Sequence, residues 1–404
     1  MSAAPPSGAA ASAVPTNSMR RIAASQLIGS TVDGIALSTA VLYFSIHVGI
    51  ASTTIGLVLA LGAGLALVTS VPIGMLADAI GLRTAGIALS GVAALALVFY
   101  ALAEGLPLYV AGACCFLVAQ SALNAIRQAL VAAATEPAQR IRSRAIVYTL
   151  MNAGLGLGTV IGVVVLAIDS HELSIAVFYA GAALALVAGF MFATLPRTAR
   201  EPSVAAARRP GVVALRDRRF MIATGLSALL GLNMPVLTVL LPLWITTRTG
   251  APEWIAAVGF GLNTLLVLLF QTRTSARLTD DRMAARFARV AAVSFPLACI
   301  LVGIAASTPA LPSAVIVLLA IVALTTGEIL GGLATWHLAF RDTPANLQGQ
   351  YQGTFAMASS LARILGPLLA LPLVLALGLG GWAILGAVFT AACLGLVLLA
   401  RSGR

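Results

Sequence analysis

Apolar runs long enough to cross ~30 Å of hydrocarbon at about 1.5 Å per residue recur along the whole chain, broken by short polar interruptions. They fall near residues 22–46, 52–78, 84–104, 107–134, 143–168 and 173–195, then 219–246, 253–276, 285–307, 312–338, 349–377 and 380–401. The pattern predicts twelve helices, divided six and six by one long polar interval that holds Pro196, Arg197, Arg200, Pro202, Arg208, Arg209 and Pro210. Residues 1–18 are Ala-, Ser- and Pro-rich, without charge or periodicity, and read as a disordered tail. Arg20-Arg21 stands directly before a span-length run, so it reads as the start of the first helix and not as the basic region of a cleaved leader. The predicted organisation is a tail over 1–18, a six-helix bundle over 19–196, a linker over 197–218 and a second six-helix bundle over 219–404.

Composition agrees with that reading. Hydrophobic residues make up 60% of the chain, charged residues 9%, and the mean hydropathy is +1.02. Soluble domains carry about 25% charge, so an all-α polytopic membrane protein is the fold class that remains. The net charge of +11 would suggest nucleic acid in a soluble protein; here its distribution matters more. With the N-terminus inside, the arginines at 20, 21, 83, 140, 142, 144, 197–219, 273, 277, 282, 286, 289, 341, 401 and 404 all fall on one side. The other side holds Arg248 with Glu104, Asp169, Glu172 and Glu253. This asymmetry predicts a multi-pass plasma-membrane protein with both termini cytoplasmic. Trp244 and Trp254 flank one outer loop and Trp382 opens the last span, positions that suit an interfacial aromatic belt.

Between the second and third runs lies Gly74-Met-Leu-Ala-Asp78-Ala-Ile-Gly81-Leu-Arg83. Gly74 allows two helices to approach closely, and Gly81 permits a tight reversal. Asp78 can accept hydrogen bonds from the amides of a neighbouring helix N-terminus, or from an arginine, and so act as a latch. An Asp281…Arg286 pair recurs at the equivalent place in the second half, with the spacing of Asp78…Arg83 but without the glycines. The string resembles the loop signature of the major facilitator superfamily of secondary transporters, although Ala79 and Leu82 replace its usual basic residues. Gly154, Gly158 and Gly162 in span five resemble the glycine motif of facilitator-type antiporters, with Thr159 where that motif has proline. Gly366-Pro367 occupies the matching place in span eleven. Physically, the glycine stripe lets span five lie against a helix of the other half. Gly327-Glu328 and Gly349-Gln-Tyr351-Gln-Gly353 are similar to twelve-span drug:proton antiporters. The resemblance implies two six-helix bundles working by alternating access, with spans one, four, seven and ten lining a central cavity.

Intramembrane polar residues are the candidate functional set. Counted from the span ends, Asp33 lies ~18 Å deep, Glu328 ~19 Å, Arg127 ~13 Å and Arg363 ~21 Å. Each half thus carries one carboxylate and one guanidinium near mid-bilayer. Desolvation disfavours the charged form of a carboxyl, so Asp33 and Glu328 are the proton-coupling candidates and Arg127 and Arg363 their charge partners, with Glu328 the nearest acid to Arg363 by depth. The alternative is that these are structural ion pairs. Gln120, Asn124, Asn233 and Trp336 complete the candidate cavity, with Pro235 placed to kink span seven. Asn152, Asn263 and Gln271 read as helix contacts. His47, His171 and His337 read as solvated side chains. The four cysteines lie in apolar spans without metal or disulfide spacing, and no nucleophile–base pair, nucleotide loop or metal motif appears. No enzyme activity, cofactor or metal is expected. The expected partners are a small-molecule substrate, protons and the lipid bilayer, with no nucleic acid, and the chain is expected to act as a monomer. The favoured function is proton-coupled export of small amphipathic or drug-like molecules. Uptake or facilitated diffusion of a metabolite is the alternative, and a non-transporting sensor or scaffold is the reading from a different class.

Overall fold

The computed structural model describes residues 16–136, 139–168, 170–196, 213–344 and 347–402. Most of the tail and linker predicted from composition lies outside the described residues; Thr16–Ser18 already form the first turn of a helix. Twelve helices among the described residues are long and apolar enough to span a bilayer. Spans 1 to 6 are Thr16–Ile46, Ser52–Ile80, Leu82–Leu102, Leu106–Ala134, Arg140–Ala167 and His171–Ala193. Spans 7 to 12 are Arg218–Arg248, Trp254–Ser275, Asp281–Ala305, Ala310–Phe340, Gln348–Leu377 and Leu379–Arg401.

Two apolar cores form, one from spans 1–6 and one almost wholly from spans 7–12. Large apolar side chains such as Leu57 (71% exposed), Val68 (72%) and Leu311 (76%) cover the outer surface. A surface of that kind is soluble only in lipid. The chain is a multi-pass membrane protein.

Helix ends near the arginine-rich face are closed by arginines from neighbouring spans. Arg21 donates to the Thr194 carbonyl and Arg83 to the Ala193 carbonyl at the end of span 6. In the second half Arg219 donates to Leu399 O at the end of span 12, at 3.2 Å. The first span of each half thus caps its last, where unsatisfied carbonyls and the helix dipole both favour a cation.

Glycine positions set the closest approaches. Gly81 sits at φ +92°, a left-handed conformation that lets span 2 reverse directly into span 3. Gly154, Gly158 and Gly162 do not face the other half: a Cβ at each would strike Leu27 O, Thr31 O and Ser38 Oγ of span 1. The stripe therefore locks spans 1 and 5 within one bundle, together with Gly34. Gly366 plays the equivalent part in the second half, lying against the Pro235 ring of span 7.

Spans 7 and 11 each contain a π-turn, Val236–Leu240 and Gly366–Ala370. Leu241 N–H bonds Val236 O, and Leu371 N–H bonds Gly366 O. Each turn is followed by Leu-Pro, at Pro242 and Pro372. The proline ring would clash with the carbonyl four residues back in a regular helix, and widening the turn removes that carbonyl from its path.

The expected aromatic belt is only partly present. Trp254 is 61% exposed, but Trp244 and Trp382 are 2% and 0% exposed, packed edge-to-face with ring centroids 5.7 Å apart. Trp244 Nε1 donates to Val302 O at 2.9 Å, which lets an indole be buried whole.

Candidate functional site

The intramembrane polar residues gather into two clusters and a latch. In the first cluster Arg127 of span 4 is fully buried. Its guanidinium lies against Gly29 of span 1, where any side chain would collide with it. Arg127 Nη1 donates to Asn124 Oδ1 at 3.2 Å and Nε to Ser25 Oγ at 3.4 Å, with the Phe192 ring 6.0 Å away. Gln26 Nε2 donates to Ser30 Oγ at 2.8 Å and reaches Asn124 Oδ1 at 3.4 Å. Gln120 is buried nearby on the same span with its carbonyl oxygen unpartnered among the described residues. Asp33 is half-buried, has no hydrogen-bond donor among the described residues, and lies within electrostatic range of both Arg127 and Arg363.

Arg363 is therefore not the partner of Glu328. Its side chain is accessible although it stands mid-span, and the acid it feels is Asp33 in the opposite half. Depth along a helix fixes height but not rotation, and span 11 turns this residue toward span 1.

Glu328 heads the second cluster and is 8% exposed. Tyr148 Oη of span 5 donates to its Oε1 at 2.7 Å, and Asn263 Nδ2 of span 8 donates to its Oε2 at 2.9 Å. Asn263 also reaches Thr325 Oγ1 at 2.9 Å. Asn233 of span 7 is close to the same carboxylate. Trp336 stacks edge-to-face on Tyr148, with centroids 5.2 Å apart. Asn263, read from sequence as a helix contact, belongs to this site, and Tyr148 was not singled out at all. A signal for Tyr148 existed: Tyr148 and Asn152 are four residues apart on one face of span 5, about 100° around the helix from the glycine stripe. The Tyr148–Glu328 bond joins the two halves. Because both carboxylate oxygens accept from neutral donors, the network is complete with Glu328 ionised. Adding a proton would replace a charge-assisted bond by a neutral one about half as strong.

The latch lies toward the arginine-rich face. Asp78 Oδ1 accepts from Gly349 N and Oδ2 from Gln350 N, both at 2.7 Å. Both amides belong to the first turn of span 11, where the helix N-terminus attracts a carboxylate. Gly74 meets Gly349 O, and Gly353 meets Ser70 O, so closely that neither could carry a side chain. Arg83 does not bond Asp78; it caps span 6 as described. Past the linker, Asp217 accepts from Tyr351 Oη at 3.0 Å and caps span 7 through Phe220 N.

The second copy of the pattern works differently. Asp281 accepts from His337 Nε2 at 2.8 Å and also binds Arg341, both in its own half, and Arg286 does not pair with it. His337 is thus a hydrogen-bond partner of Asp281 and not a solvated side chain. His47 and His171 stack on Tyr43, at centroid distances of 5.4 and 5.7 Å. Among the described residues no three His, Cys, Asp or Glu side chains gather as metal ligands.

The inter-half polar and ring contacts, Asp78 to Gly349 and Gln350, Tyr148 to Glu328 and Trp336, and Arg144 over Phe340 at 3.9 Å, lie at or on the arginine-rich side of Glu328. Two helical bundles pressed together at one face around polar clusters at mid-depth define a membrane transporter of the two-bundle class. The chain belongs to the Major Facilitator Superfamily, whose profile matches residues 22–367. No curated protein matches it in sequence. Its fold is similar to that of the human organic anion transporter MFSD10 (TETRAN), at 17% identity and a TM-score of 0.73 over 94% of this chain and 99% of the other. It is similar also to the Major Facilitator transporter FucP in its outward conformation, at 11% identity and TM-score 0.76 over 96% and 98%. A bacterial homologue of the iron transporter ferroportin, in its outward-facing state, matches at 14% identity and TM-score 0.73 over 96% and 100%.

Proposed function

We propose that the chain is a proton-coupled exporter of small amphipathic organic molecules, with Glu328 as the proton site that controls closure between the halves. The arginine-rich face is cytoplasmic on this reading, so the structure is closed to the cytoplasm and both termini lie inside. The observation that carries the proposal is the Tyr148–Glu328 hydrogen bond of 2.7 Å between the two bundles. A proton arriving from outside converts the Glu328 carboxylate to a neutral acid, weakens the bond to Tyr148 and favours separation of the cytoplasmic ends. Asp78 on the span 11 amides sets the strength of the same closure. The π-turns of spans 7 and 11, packed on each other through Pro235 and Gly366, supply bendable segments on the other side of the site. Asp33 is the second proton-coupling group, and its charge is read by Arg363 across the interface.

One observation favours a second substrate class. Arg363 is the accessible guanidinium of the central region, whereas Arg127 is enclosed. An amphipathic anion could place its acidic group on Arg363 in competition with Asp33. Purified protein in proteoliposomes, given an imposed pH gradient and a panel of lipophilic cations, neutral compounds and amphipathic anions, tests both readings through proton flux. Substrate-dependent proton movement supports coupling, and the compound that elicits it fixes the class. Substrate movement that ignores the gradient contradicts the proton-coupled reading.

A further inference from the structure

At the arginine-rich ends of spans 9 and 12 a cleft of about 470 Å³ opens between the helices. Arg282, Arg286 and Arg289 line it from span 9 and Arg401 from span 12. All four are exposed, and none has an acidic partner within ion-pair distance among the described residues. The acid in the cleft wall, Asp281, has its oxygens engaged by His337 and Arg341. Arg289 Nε is spent on Ala285 O at 3.3 Å. Four clustered like charges repel, and an anion among them removes that cost.

In the first half, at the matching ends of spans 3 and 6, Arg83 is instead turned inward onto the Ala193 carbonyl. Toward the bilayer centre the walls continue as lipid-facing apolar side chains, Val290 and Val293 on span 9 (49% and 67% exposed) and Leu394 and Leu398 on span 12 (48% and 65%). Guanidiniums above and two parallel apolar tracks below match a molecule with a phosphate head and acyl chains.

We infer that this cleft binds the phosphate headgroup of an anionic phospholipid, with its acyl chains lying along the exposed faces of spans 9 and 12. The inference does not depend on what the transporter carries, since the site lies outside both polar clusters.

The test uses the full chain in a neutral detergent, titrated with phosphatidylglycerol, phosphatidylcholine or inorganic phosphate, with bound lipid counted by native mass spectrometry. Wild type should retain phosphatidylglycerol in preference to phosphatidylcholine. Arg286→Gln/Arg289→Gln should lower that retention roughly 30-fold, the loss of two basic contacts at the strength usual near anionic headgroups. The same variant should still transport. Equal retention of the two lipids by wild type, or unchanged retention by the variant, overturns the site. Inorganic phosphate displacing phosphatidylglycerol at equal concentration assigns an anion site and overturns the lipid. If the variant is not recovered monodisperse, high salt replaces it: selective loss of phosphatidylglycerol from wild type supports the site, and salt-insensitive retention counts against it.

Discussion

The two halves of this transporter bury an acid at similar depth and treat it in opposite ways. Glu328 is enclosed, with each carboxylate oxygen held by a neutral donor, and one of those donors, Tyr148, comes from the other half. Asp33 is half-buried, without a donor among the described residues, and is balanced at longer range by Arg127 and Arg363. A carboxylate held by directed bonds reports its protonation through geometry, because specific bonds must weaken. A carboxylate balanced by guanidiniums reports it through charge, because the surrounding field changes without any one bond breaking. The proposed cycle assigns the first role to Glu328 and the second to Asp33.

The largest effect should come from Glu328→Gln. Glutamine keeps an acceptor for Tyr148 but turns an amide toward Asn263 and cannot titrate, so uphill transport in proteoliposomes should fall to background while the protein remains folded. Asp33→Asn should also abolish gradient-driven transport, yet leave the closed state intact, because no directed contact is lost. If Asp33→Asn opens the arginine-rich face as Glu328→Gln does, the contrast between the halves collapses.

Gly158→Val should be costly for a different reason. Its side chain would enter the backbone of span 1 at Thr31, and overpacking of that kind costs about 1–3 kcal/mol or more. A fall in thermal stability with little change at Gly156→Ala, whose nearest neighbour is 3.8 Å away, checks this.

Asp78→Asn comes next. It exchanges one of two charged hydrogen bonds on span 11 for a donor-to-donor contact, a loss of about 1.5–3 kcal/mol from the closed state. Spin-label distances between spans 2 and 11 should show a larger open population. An unchanged distribution would reduce Asp78 to a turn residue. The smallest effect should follow Pro372→Ala, which removes the steric reason for the π-turn in span 11. Transport should persist, and hydrogen exchange near Gly366–Ala370 should slow as the segment returns to a regular helix.

Much of this was readable from sequence because it depends on position along the chain. Twelve spans, the reversal at Gly81 and the attraction of Asp78 to helix amides all follow from local spacing and elementary electrostatics. What sequence hid was rotation about each helix axis. Arg363 and Glu328 stand at similar depth one span apart, yet Arg363 faces Asp33 and Glu328 faces Tyr148. The same ignorance sent the glycine stripe of span 5 to the wrong partner and left Tyr148 unnoticed. It also placed Trp244 and Trp382 at an interface, where tertiary packing had instead found an acceptor for Trp244 and enclosed both rings. Internal similarity misled once: Asp281…Arg286 repeats the spacing of Asp78…Arg83, but His337 and Arg341 capture Asp281 within its own half.

The central claim is that protonation of Glu328 loosens the closure made through Tyr148. It is tested most directly by inter-half distances at the arginine-rich face, from spin labels on spans 5 and 10, as pH is lowered. Wild type should lose closed population on acidification, whereas Glu328→Gln and Tyr148→Phe should each start with less of it and show a smaller acid response, the part that remains coming from the Asp78 carboxylate on the span 11 amides. A full acid response in either variant, equal to that of wild type, would contradict the account.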